Sequence, residues 1–81
     1  MADTFKVFVE FTDTFGGQPN YVWVRRATVE LPCDITNKAI MRRLKKAVGI
    51  TGMLGRSDAH GDTWEFRPYN LCAILMARVE Y

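Results

Sequence analysis

Between Phe5 and Phe11 the chain alternates: Phe5, Val7, Val9 and Phe11 fall on one side, and Lys6, Phe8 and Glu10 on the other. A period of two marks a strand with one face buried, because successive side chains leave a pleated strand in opposite directions. Slipping the register by one residue would turn four apolar side chains to water, so the pattern constrains pairing as well as element type. A strand of this kind needs partners, since its buried face must meet other elements.

The next segment, TDTFGGQPN at residues 12–20, holds a glycine pair, Pro19 and Asn20, and reads as a loop longer than a tight hairpin turn. YVWVRRATVEL at 21–31 is rich in aromatic and β-branched residues and is expected to pair antiparallel with the first strand. Its two faces are Tyr21, Trp23, Arg25, Ala27, Val29, Leu31 and Val22, Val24, Arg26, Thr28, Glu30. Both begin apolar and change character at Arg25-Arg26, where a bulge or bend is expected.

Asp34 is a good N-cap for a helix reaching about Val48, and Gly49 suits the left-handed position after it, with Ile50 as the accompanying apolar contact. At about 100° per residue, Ile40, Leu44, Ala47 and Val48 share one face, and Lys38, Arg42, Lys45 and Lys46 share the opposite one, with Arg43 at its margin. TGMLGRS and DTWEFRPY then form two strand-like runs around the turn DAHG at 58–61, and LCAILMARVEY at 71–81 reads as a central strand buried on much of both faces. The resulting order is β-β-α-β-β-β. It implies an α+β fold over residues 1–81, a single small domain with one helix packed on one face of a mostly antiparallel sheet.

A hydrophobic content of 48% with 25% charged residues is that of a folded chain. The start MADTFKVFVEF has no basic region followed by an apolar run, and LCAILMA is less than half a membrane span, so a cytoplasmic location without membrane contact is expected. Cys33 and Cys72 form no C-x-x-C pair and are expected to be small buried hydrophobes in a reducing compartment, with a disulfide as the alternative. Trp23 and Trp64 are expected to be mostly buried, because a chain of this size needs its largest side chains in the core.

Catalytic chemistry finds little support. His60 is the single histidine, and the D-x-H-x-D spacing of Asp58, His60 and Asp62 fits a polar turn better than a metal site, which wants three or more ligands. Cys72 lies in an apolar run, and Cys33, just before a helix start, is the better nucleophile candidate, with structural packing the default for a buried free cysteine. Gly49, Gly52 and Gly55 follow a helix, whereas phosphate-binding glycine loops precede one. The expectation is a protein that is not an enzyme and that carries no metal or cofactor.

Charge is more informative. Net charge is +2, yet Ile35 to Ser57 holds six positive residues and no acid, while the remainder holds five positive residues against nine acids. Five of those six cations, Lys38, Arg42, Arg43, Lys45 and Lys46, fall within nine residues of the helix, and Arg25, Arg26 and Arg56 extend the patch if a sheet edge lies alongside. A helix face kept for solubility usually mixes in acids for i,i+4 pairing, and this one has none. The pattern points to contact with a nucleic acid or a nucleoprotein complex. Phe15, Tyr21 and Trp23 are candidate aromatic contacts, able to stack on bases or to anchor a protein.

NYVWVRR at 20–26 and GDTWEFRPYNLCAILM at 61–76 resemble recurring segments of short, functionally unassigned proteins encoded by bacterial phages, plasmids and other mobile elements. That resemblance implies a context in which small proteins bind and block, or regulate. The alternative to nucleic-acid binding is accordingly an inhibitor of a host defence complex, in the manner of anti-CRISPR proteins, acting by protein–protein contact as a monomer or homodimer.

Overall fold

The alternation of the first segment becomes the middle of a long hairpin. The computed structural model describes residues 3–80, in the order β1 (Thr4–Phe15), β2 (Gln18–Pro32), α1 (Asn37–Ala47), β3 (Gly55–His60), β4 (Thr63–Pro68) and β5 (Ala73–Glu80). The β-β-α-β-β-β order is therefore as expected, and all five strands join one antiparallel sheet in the spatial order β2-β1-β5-β4-β3. With one helix on that sheet the chain is α+β and mostly β. The most apolar strand, β5, lies at the centre, as its composition requires, with Ala73, Ile74, Leu75 and Ala77 buried.

Val7, Val9 and Phe11 of β1 meet Leu75 and Ala77 of β5, Trp64 and Phe66 of β4, and Ile40, Met41, Leu44 and Val48 of the helix in one core. Each large side chain fully buried there, such as Phe11 or Phe66, contributes roughly 1.5–3 kcal/mol over the exposed state. Met41 occupies the place expected for Ala47, which is exposed. Met41 joins the core cluster there with Ile40, Leu44 and Val48.

Four local expectations are corrected. Residues 12–20 are not a long loop. Phe15 pairs with Gln18 across a two-residue turn in which Gly16 and Gly17 have φ of 61° and 81°. Glycines at both central positions permit the turn whose twist matches the strands, so the hairpin simply continues. The bulge lies not at Arg25-Arg26 but beside Thr12–Thr14, where the register shifts and Tyr21 adopts φ 58°. Side chains replace the interrupted ladder there. Thr12 Oγ1 accepts from the Tyr21 amide (3.1 Å) and donates to the Trp23 carbonyl (2.8 Å), while Asp13 accepts from the amides of Val22 (2.8 Å) and Trp23 (3.4 Å) and from Asn20 Nδ2 (3.0 Å).

The helix N-cap is Thr36, whose hydroxyl accepts from the Ala39 amide at 3.2 Å, and not Asp34, which lies in the preceding turn. The C-terminal end is as expected: Gly49 has φ 78°, its amide donates to the Lys46 carbonyl, and buried Ile50 donates to that of Lys45. The second hairpin turns at Gly61-Asp62, so Asp58, Ala59 and His60 belong to β3, which begins only at Gly55.

The cysteines are corrected as well. Both are free and exposed, because each falls in a bend just outside a strand. Cys33 pairs with Asp3 at one end of the sheet and Cys72 with Thr14 at the other, which rules out a bond between them. Trp64 is buried and donates to Asn37 Oδ1 at 3.3 Å, but Trp23 stays 39% exposed and tilts against Phe11, with ring centroids 5.2 Å apart.

Candidate nucleic-acid interface

The helix packs chiefly along β2 and leaves an open groove toward β3 and β4. This groove has a volume of about 470 Å³. Asn37, Lys38, Met41, Arg42 and Lys45 form its helical wall, Thr51 and Gly52 close one end, Ser57, Asp58 and Ala59 of β3 form the other wall, and Trp64 contributes from β4. Three cations thus border a concave surface that also carries apolar side chains, the polar groups of Asn37, Thr51 and Ser57, and one carboxylate, Asp58.

The structure does not bring the eight cations of the patch onto one surface. Lys38, Arg42, Arg43 and Lys46 are exposed on the helix, and among the described residues none of them joins an ion pair. Lys45 does not point outward: its ammonium donates to the Met53 carbonyl at 2.9 Å and sits 4.1 Å from the centroid of the Phe66 ring. Its four-carbon stem lets a residue beside the buried stripe reach back over the core. Arg25 is also engaged, donating from Nη1 to the Val48 carbonyl at 2.9 Å.

Arg26 and Arg56 lie on the other side of the sheet. Arg26 pairs with Glu10, which lies between the buried Val9 and Phe11 and so faces away from the helix; the two are 2.8 Å apart. Arg56 sits opposite Arg67 and reaches Asp58 at 3.5 Å. All three ion pairs of the described residues, including Arg67–Glu65 at 2.8 Å, use cations of the sheet.

The aromatic candidates divide in the same manner. Trp23 remains on the helix side against Phe11, whereas Tyr21 lines a shallow hollow on the open face with Phe8, Glu10 and Met76. Between Thr12↔Val24 and Thr14↔Pro19 the register shifts, four residues of β2 standing against Asp13 alone, and Tyr21, at φ 58°, turns to the face opposite Trp23, separating two residues that alternation had placed together. Phe15, at the hairpin tip, is 79% exposed.

Phe15 belongs to a larger arrangement that alternation does not show. Among the described residues the exposed large apolar side chains are Phe15, Tyr21, Val22, Trp23, Leu54, Tyr69 and Leu71. Every one of them lies at the end of the sheet where β1, β4 and the segment before β5 meet. The Tyr69 amide donates to the Leu54 carbonyl at 3.1 Å, the Thr14 amide to that of Cys72 at 3.0 Å, and Arg67 Nη1 to that of Gly17 at 3.2 Å.

No group of three His, Cys, Asp or Glu side chains comes together among the described residues. His60 ends β3, outside the lining of the groove, and the two thiols lie at opposite ends of the sheet. No described helix is long and apolar enough to cross a membrane. No protein-family model, no curated protein and no solved structure matches this chain.

Proposed function

We propose that the protein is a non-enzymatic binding module that docks its helix and the adjoining groove on nucleic acid or a nucleoprotein complex. The observation that carries this reading is the segregation of charge. Among the described residues Lys38, Arg42, Arg43 and Lys46 stay exposed on the helix without carboxylate partners, Lys38 and Arg42 lining the groove, while the ion-paired cations belong to the sheet. Unpaired cations held on a rigid element supply the counterion release that drives phosphate binding.

Titration with short single- and double-stranded DNA and RNA, followed by tryptophan fluorescence and anisotropy, tests this. Trp64 borders the groove and reports directly. Four phosphate contacts correspond to a slope of about −3 to −4 in log K against log salt. Arg42→Glu with Lys46→Glu abolishes binding and leaves the fold intact. Lys45→Met, which removes a hydrogen bond and a cation–π contact, costs roughly 1–2 kcal/mol of stability but leaves the salt slope unchanged. Absence of binding at low salt overturns the reading.

A second reading, inhibition or regulation of a host protein complex, is favoured by the apolar end of the sheet. Seven large apolar side chains gathered at one end, with Val22 and Phe15 more than three-quarters exposed, fit the anchor residues of a protein contact. On this reading Phe15→Ser with Leu71→Ser abolishes inhibition, while Arg42→Glu with Lys46→Glu leaves it unchanged.

A further inference from the structure

The sheet order leaves β2 as an edge, and at 15 residues it is the longest strand. Its pairing phase is set where the Cys33 amide donates to the Asp3 carbonyl at 3.1 Å, in register with Thr4↔Pro32. Backbone groups of an antiparallel strand alternate between its two sides, so Arg25, Ala27, Val29 and Leu31 bond to β1. Val24, Arg26, Thr28, Glu30 and Pro32 therefore turn their backbone groups to the free edge. The opposite edge, β3, has only six residues.

We propose that this edge pairs with the same edge of a second copy, antiparallel about Thr28. A two-fold contact must be complementary to itself. Centring the pair on Arg26 sets arginine against arginine, and centring it on Glu30 sets glutamate against glutamate. Centring on Ala27 or Val29 leaves both charges opposite uncharged residues. About Thr28, Arg26 of each copy faces Glu30 of the other, the two threonines face each other, and Val24 faces Pro32, whose missing N–H falls at the end of the ladder. Opposite charges and threonine pairs are favourable cross-strand neighbours.

This two-fold axis is perpendicular to the sheet, so rotation about it keeps each helix on its own side. The dimer is a ten-stranded sheet with both basic helices on one face. It doubles the cationic surface and fits a partner with two equivalent backbone segments, such as a duplex. That consequence rests on the nucleic-acid reading; the pairing does not. A single strand pair buries less than the roughly 1,200 Å² of a standard interface, so the dimer is concentration-dependent.

Sedimentation equilibrium without nucleic acid, up to millimolar protein, tests the pairing. The unaltered chain forms a concentration-dependent dimer. Glu30→Arg and Arg26→Glu each weaken self-association about tenfold or more. Mixing the two variants restores it, because Arg26 and the new arginine of one copy meet the new glutamate and Glu30 of the other. Circular dichroism verifies that both are folded, as expected for positions whose present contacts, to Glu10 and Thr4, are exposed. A chain that stays monomeric, or a mixture that does not associate, overturns the pairing. Nucleic-acid binding by a monomer sinks this inference alone, and a dimer that binds no nucleic acid sinks only the earlier reading.

Discussion

Arg25 Nη1 donates to the carbonyl oxygen of Val48 at 2.9 Å, tying the middle of β2 to the C-terminal end of the helix. The carbonyls of a last helical turn have no partner within the helix and carry the negative end of its dipole, so a guanidinium satisfies both demands. Arg25→Ala is expected to cost about 1 kcal/mol, a fall in melting temperature of about 4–8 °C. It should leave the salt dependence of nucleic-acid binding unchanged. A Cβ at Gly49 would lie 3.3 Å from the same Nη1, at φ 78°, so Gly49→Ala disturbs the identical contact and adds backbone strain.

Thr36 and Asp34 offer a direct contrast between two candidate caps. Thr36→Ala removes the acceptor of the Ala39 amide and should destabilise by about 1 kcal/mol in thermal or urea unfolding. Asp34→Ala, in the exposed turn before it, should stay within about 0.5 kcal/mol of the unaltered chain.

Gly55 opens β3 at a point of close approach. A Cβ there would overlap the carbonyl oxygen of Arg67 and lie 2.7 Å from Phe66 Cζ. One neighbour is backbone and the other a fully buried ring, so neither yields cheaply. Gly55→Ala is expected to cost about 3 kcal/mol. Slower amide exchange in β3 of this variant than of the unaltered chain would contradict that account.

Asp13 carries a pH dependence. Desolvation acts to raise its pKa, but hydrogen bonds from Asn20 and from the amides of Trp23 and Val22 outweigh it, leaving the carboxyl below its ordinary 3.8. The ionised form is therefore the one that folding favours. Its contribution is complete above about 3.8, and it is lost as pH falls through the lower folded value. Melting temperatures of the unaltered chain and Asp13→Ala, followed from neutral pH to strong acid, should differ most at neutral pH and converge in acid.

What was legible beforehand follows from the range over which each signal acts. The glycine at 49 closes the helix through contacts no more than five residues away, and a period of two from Phe5 to Phe11 fixes which side of β1 is buried. Asp34 and Thr36 compete for one cap, and only the structure shows that Thr36 holds the extended backbone geometry and places its hydroxyl on the Ala39 amide. Likewise, a run of cations on a helix does not reveal where each long side chain ends. Lys45 is separated by 21 positions from the ring it covers, and Arg25 by 23 from the carbonyl it binds.

The amino-acid sequence by itself determined the element order, the apolar faces of β1 and the helix, and the concentration of positive charge on that helix. These depend on periodicity and composition, which are local. Only the tertiary structure decided which cations stay free, that the bulge sends Tyr21 and Trp23 to opposite faces, and that the exposed apolar residues gather at one end of the sheet. Those outcomes depend on strand order and register, which bring together residues far apart in the chain, and no local pattern carries that information.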